Sequence, residues 1–234
     1  MKAVILAAGY SGRSFPLMRD RPKALLLVND RPVVEHIVDK LKEIKNINKI
    51  YLVTNEKYKN LFKAWLHHDN VEVISDQTKD KKEQLGAVGS LNFALQNKSI
   101  NDDLLVIAGD NLFTFNLNPL TENKNKIKIG VYDLKDLKKA ADFGVVKVEN
   151  NKLIDLKEKP EKPDSSLVST ACYYFPKKSL KHISSFLNEK EESELGHLIS
   201  YIKEKEEVYT HNFEGKWFDI GTDSKLRKVR REYV

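Results

Sequence analysis

Short apolar runs alternate with amphipathic stretches through the first half of the chain. Ala3–Leu6 is unbroken apolar and predicts a strand. Over Pro32–Ile44 the residues Val33, Val34, Ile37, Val38, Leu41 and Ile44 recur at helical intervals, which predicts a helix with one apolar face. Lys49–Val53 reads as a strand. Glu56–Leu66 reads as a helix with Leu61, Phe62, Trp65 and Leu66 as its apolar positions. Val71–Ile74 is a strand, Gly86–Gln96 a helix and Leu104–Ala108 a strand. Strict alternation of this kind predicts a parallel sheet with right-handed crossovers. The second half differs. Ile127–Tyr132, Gly144–Val148, Lys152–Lys157 and Leu167–Phe175 read as strands with little helix between them, so they are expected as mixed or antiparallel additions to the same sheet. Helices return at Lys177–Leu187 and Leu195–Lys205, followed by a strand at Tyr209–Phe213 and a helix at Asp223–Glu232.

The 234 residues are 41% hydrophobic and 32% charged, which excludes a disordered or fibrous chain. No repeat or linker-like boundary interrupts the pattern, and one α/β domain over residues 1–234 accounts for it. No apolar run approaches the roughly 20 residues that cross a bilayer. The stretch Ala3–Ala8 is too short for the core of a signal peptide and ends at Gly9. A cytoplasmic protein without a membrane partner is therefore expected. Cys172 is the only cysteine, which rules out an internal disulfide and a thiolate metal cluster, and its apolar neighbours predict a buried, inert thiol. The net charge of +6 comes from mixed rather than blocked residues, as in a solvated, lysine-rich surface. The dense patches Lys79–Glu83 and Arg227–Arg231 lack interleaved aromatics, so no nucleic-acid partner is expected. The six histidines show no zinc spacing.

The segment with most chemistry is Leu6–Leu17. A strand ends there in the small residues Ala7, Ala8 and Gly9, then Ser11, Gly12 and Arg13 follow. Small side chains at the carboxyl end of a strand let backbone N–H groups approach an anion. Ligands of parallel α/β sheets sit at that end. Arg13 adds a planar fork for phosphate oxygens, and Lys23 after Pro22 adds a second cation. The glycines fit neither common phosphate-loop spacing, so by composition alone a tight turn explains the segment as well. Asp110 in Gly109–Asn111 follows a strand, where an aspartate caps a turn or binds a metal. Gln84, Lys159 and Asp219 likewise read either as solvated polar residues or as ligand contacts.

An opening signature and five further motifs in order resolve the ambiguity through a resemblance. LAAGYSGRSFPLMRDRPK, residues 6–23, resembles the signature of the sugar-1-phosphate nucleotidyltransferases, with Arg13, Pro16, Leu17, Pro22 and Lys23 in place. Ser11 stands where that family usually has a glycine. QLGAVGSL from Gln84 is similar to the loop that reads the base, and GDN at 109–111 to the segment of the metal aspartate. FGVV from Phe143 with Glu158-Lys159-Pro160 is similar to the sugar-binding pair, with STACYY from Ser169 beside it. Ala171 stands where the family usually has glycine. WFDIGT, 217–222, is similar to the closing signature, which carries a second aspartate.

The resemblance implies a three-layer, Rossmann-like mixed sheet, mostly parallel, with helices on both faces. It implies transfer of a nucleotidyl group from an NTP, with dTTP or UTP favoured, to a sugar 1-phosphate. Leu6, Ala8, Gly9, Ser11, Gly12, Gln84 and Gly89 are then the nucleotide-binding positions, and Arg13 and Lys23 the catalytic cations. Gly144, Glu158, Lys159 and Thr170 face the sugar phosphate. Asp110 and Asp219 hold Mg²⁺, although they lie 109 positions apart. Glu194–Ile199 has no arginine where thymidylyltransferase relatives carry one for the sugar phosphate. The motifs end near the last residues, so no C-terminal β-helix domain is expected, and a homo-oligomer stays open. Two alternatives remain: a choline-phosphate cytidylyltransferase, which shares the opening motif and Val28–Pro32, and a regulatory subunit that binds nucleotide-sugar without turning it over.

Overall fold

The computed structural model describes residues 1–10 and 21–233. The first half builds β1 (Lys2–Leu6), a hairpin of β2 (Leu27–Val28) and β3 (Arg31–Pro32), α1 (Val33–Lys42), β4 (Lys49–Thr54), α2 (Lys59–Trp65), β5 (Val71–Ser75), α3 (Gly86–Asn97) and β6 (Leu104–Ala108). Then come β7 (Asn111–Phe113), α4 (Asn118–Thr121), β8 (Ile127–Asp133), α5 (Leu137–Ala140), β9 (Gly144–Glu149), β10 (Lys152–Glu158) and β11 (Leu167–Phe175). The chain continues through α6 (Lys181–Glu189), α7 (Leu195–Lys203), β12 (Val208–Asn212), β13 (Trp217–Asp219) and α8 (Asp223–Glu232).

Nine strands form one sheet in the order β5-β4-β1-β6-β11-β8-β12-β10-β9. The four strands from β5 to β6 run parallel. Beyond them β11 pairs antiparallel with both β6 and β8, and β8 pairs parallel with β12. The far edge curls so that β9 also meets β11 at Val145–Val168. Alternation along each strand divides the core between two faces. Ala3 and Ile5 pack with the apolar stripe of α1 and with α8, whereas Val4 packs with α3, α6 and α7.

Two helical expectations change. The helix expected from Glu56 begins only at Lys59, and Leu61 and Trp65 are 40% and 44% exposed. Only Phe62 of this short helix turns to the sheet, with Tyr58 and Leu66 buried at its ends. The helix expected at Lys177–Leu187 is a 3₁₀ turn, Lys177–Ser179, and then α6. Among the described residues no helix is long and apolar enough to cross a membrane.

Candidate active site

The carboxyl ends of β1 and β6 open onto two adjoining cavities. Gly109 N donates to Leu6 O at 2.8 Å, and a Cβ on Gly109 would lie 2.8 Å from that oxygen, so a side chain there would push the strand ends apart. Ala7 N bonds to Val53 O at 2.8 Å, and buried Asn55 donates from Nδ2 to Ala8 O at 3.0 Å. The small-residue segment is therefore held from both sides. The first cavity, about 350 Å³, is lined by Leu6, Ala8, Gly9, Tyr10, Lys23, Gln84, Gly86, Ser90 and Asp110, among others. The second, about 370 Å³, is lined by Asp142, Gly144, Glu158, Lys159, Thr170, Glu194 and Asp219, among others. Both share Lys23, Ala87, Ala108, Asp110 and Leu195. Ser11, Gly12 and Arg13 lie outside the described residues.

Asp110 stands at the seam. The residue after it opens β7, which pairs antiparallel with β13 in the register Asn111–Asp219. Ile220 N also donates to Asp110 O at 2.9 Å. These bonds bring the two distant aspartates onto one wall. Enclosure by protein pushes the Asp110 carboxyl above its ordinary range, and the Asp219 carboxylate adds to this. Lys23, on the 3₁₀ turn Lys23–Leu25, opposes the shift with Nζ 3.5 Å from Asp110 Oδ2. Lys225 of α8 donates to Asp219 Oδ2 at 2.8 Å.

Gln84 is exposed on the lip of the first cavity. Gly89 does not line either cavity; its neighbour is Leu85, 2.8 Å from where a Cβ would sit. Gly86 takes the lining position instead, with φ +73° at the start of α3. Tyr10, Thr78, Asp76 and Ser90 form a hydrogen-bonded chain under the same loop. The Tyr10 hydroxyl donates to Thr78 Oγ1 (3.1 Å), and Thr78 Oγ1 donates to Asp76 Oδ1 (2.7 Å). Ser90 Oγ donates to Asp76 Oδ2 (2.8 Å), so Thr78 and Ser90 satisfy the two oxygens of the buried carboxylate and Tyr10 extends the chain through Thr78. Sequence reasoning named none of these four. The signals available were the positions of Tyr10 inside the motif at residues 6–23 and of Ser90 inside QLGAVGSL.

Around the second cavity, Glu158 ends β10 and Lys159 follows it. Glu158 Oε2 lies where side chains on Gly196 or Gly144 would be, 1.9 Å and 3.2 Å from their built Cβ positions. Two glycines thus make room for one carboxylate at the N-terminus of α7. Lys159 Nζ is 3.6 Å from Glu158 Oε1. The Thr170 hydroxyl donates to Gly130 O at 3.0 Å, and its carbonyl accepts from Asn111 Nδ2 at 2.5 Å. Cys172 is buried, and burial pushes its thiol up to about 12.

Two residues at this end hold left-handed backbone, Lys159 at φ +45° and Ala171 at φ +53°. Ala171 sits where β11 loses register with β8, between Ser169 and Tyr173. A residue with a Cβ is strained there. Ala171→Gly is expected to raise stability by up to about 1 kcal/mol, read as a higher urea midpoint. A lower midpoint would show that the Cβ packing outweighs the strain.

The nucleotidyl transferase family model matches residues 2–234. The chain belongs to this family. Its relatives include the bifunctional protein GlmU of Methanocaldococcus jannaschii, 30% identical over 224 residues, covering 94% of this chain and 51% of that protein. A bifunctional sugar-1-phosphate nucleotidylyltransferase/acetyltransferase of Sulfurisphaera tokodaii is 29% identical and covers 99% of this chain and 55% of its own length. The chain thus spans about half the length of the curated relatives it matches. Among solved structures, a protein from Bacillus anthracis assigned as a glucose-1-phosphate thymidylyltransferase superposes with a TM-score of 0.82 at 27% identity, covering 98% of this chain and 94% of that one. UDP-glucose pyrophosphorylase from Acinetobacter baumanii shares the fold, with a TM-score of 0.80 at 21% identity. The expected α/β architecture is the architecture of these family neighbours.

Proposed function

We propose that the protein transfers a nucleotidyl group from an NTP, dTTP or UTP for preference, to a sugar 1-phosphate, with release of pyrophosphate. The observation that carries this reading is the pairing of β13 with β7. It sets Asp219, on the wall of the second cavity, beside Asp110, which lines both cavities. Leu6, Ala8, Gly9 and Gln84 line the NTP side, and Gly144, Glu158, Lys159 and Thr170 the sugar-phosphate side. Ser11, Gly12 and Arg13 complete the phosphate loop in this reading.

A sugar-phosphate oxygen attacks the α-phosphorus of the NTP. The bond from that phosphorus to the bridging oxygen breaks, and pyrophosphate leaves with the electron pair. The attacking phosphate is already ionised, so no general base is needed. Charge neutralisation and alignment carry the catalysis. Lys23 supplies an ammonium at the seam. Two carboxylates that repel one another across a strand pair fit a divalent cation, and Asp110 and Asp219 would hold Mg²⁺ there. Held there, such a cation would neutralise developing phosphate charge, with substrate phosphates and water completing its ligands. The donor set agrees with that habit. Among the described residues no group of three or more acidic, histidine or cysteine side chains is placed to hold a metal by itself.

Pyrophosphate release across several NTPs and hexose 1-phosphates tests this. The fastest reaction is expected with dTTP or UTP. Gln84→Ala is expected to lower kcat/KM for that nucleotide roughly 5- to 150-fold, the equivalent of about 1–3 kcal/mol for one unpaired contact. GTP or ATP reacting fastest, untouched by Gln84→Ala, would overturn the base assignment. Release from CTP with phosphocholine alone would favour the cytidylyltransferase, and no release from any pair would favour a regulatory subunit.

A further inference from the structure

Lys225 lies outside every motif discussed above, yet it touches the closing aspartate. Thr222 Oγ1 accepts from Lys225 N at 3.2 Å, which fixes the first turn of α8. From that turn Nζ reaches back to Asp219 Oδ2 at 2.8 Å. The ammonium is held from the other side as well, 3.7 Å from Asp142 Oδ2 and 4.9 Å from the centre of the Phe143 ring. Gly221 keeps the passage open, since a Cβ on it would stand 3.0 Å from Asp219 Oδ2 and 3.6 Å from Lys225 Nζ. Three segments, residues 142–143, 219–221 and the start of α8, thus converge on one ammonium.

We infer that Lys225 is a positioning residue that restricts Asp219 to single-oxygen binding of a divalent cation, by occupying Oδ2 and leaving Oδ1. The inference rests on the reading of Asp219 as a metal carboxylate. Its consequence is selectivity. Mg²⁺ and the similar Mn²⁺ suit six-coordinate sites with single carboxylate oxygens and several waters, whereas Ca²⁺ takes more oxygens and readily binds both of one carboxylate. Residues that orient a metal ligand typically change affinity about 10- to 100-fold when removed.

The test is metal binding to the whole chain saturated with a non-hydrolysable NTP analogue, whose phosphates complete the ligand set, with Mn²⁺ followed by electron paramagnetic resonance and Ca²⁺ by competition. Lys225→Met is expected to shift relative affinity at least about fivefold toward Ca²⁺, and Lys225→Arg to restore the wild-type ratio. Asp219→Asn is the reference. If Asp219→Asn binds Mn²⁺ as the wild type does, the metal reading of Asp219 falls and this inference with it. If Asp219→Asn loses Mn²⁺ while Lys225→Met keeps the wild-type ratio, the role of Lys225 alone is overturned. Should Lys225→Met fail to fold, Asp142→Asn loosens the same ammonium. It is expected to shift the ratio in the same direction by a smaller factor, and an unchanged ratio in that variant overturns the inference.

Discussion

Asp110→Asn is expected to lower turnover about 10³-fold while leaving the fold intact. The amide keeps the shape of the carboxylate and its place after β6, and loses the charge that faces Asp219 and Lys23. The same substitution has a stability signature of opposite sign. The Asp110 carboxyl is raised from its ordinary 3.8, first by enclosure and then by Asp219. Between that ordinary value and the raised one, the native protein keeps a proton that the unfolded chain has released. Stability contributed by this group is therefore present at low pH and falls as pH rises through the window. Asparagine removes the penalty. At neutral pH Asp110→Asn is expected to melt at or above the wild-type temperature, and the gap should close toward pH 4. Turnover near normal, or a clear drop in melting temperature at pH 7, would remove Asp110 from the site as described.

Gly86→Ala is expected to cost roughly 2–5 kcal/mol, a large share of the 5–15 kcal/mol that holds a typical domain. Two independent effects add. The residue has φ +73°, and a Cβ would stand 2.2 Å from Ser193 Cβ and 2.5 Å from Ser193 Oγ. The strand-to-helix loop and the segment before α7 meet here, where Val88 N also donates to Ser193 O at 3.0 Å. A shift at Gly86 moves the loop carrying Gln84, so the KM for NTP should rise together with the loss of stability. Ser193→Gly in the same chain should recover part of the stability by removing the clash, but not the part due to backbone strain. A wild-type urea midpoint for Gly86→Ala would refute both effects.

The elements that could be read from the sequence are those whose signal is local. The stripe of α1 and the apolar runs of β1, β4 and β6 each bury themselves by their own period, and β11 and α8 have the bounds that their patterns predict. β7 and β13 carry no such signal. Each has three residues, too few for a period, and each is a strand only because the other lies beside it. The misreading of α2 has the same origin. Leu61 and Trp65 satisfy a helical pattern, but the exposure of one face depends on what packs against it.

By itself, the sequence determined the alternation of strands and helices, the small-residue strand end at Leu6–Gly9 and the family motifs in their order. Those features are set by side-chain period and chemistry within a few neighbours. Only the tertiary structure decided which distant groups share a wall. It set Asp110 beside Asp219 across a strand pair and gave the lining position to Gly86 rather than Gly89. It also placed Lys225 on Asp219 and seated Glu158 over Gly196. The physical reason is that a carboxylate's neighbours come from backbone pairing between segments far apart in the chain, and no local pattern of residues encodes that pairing.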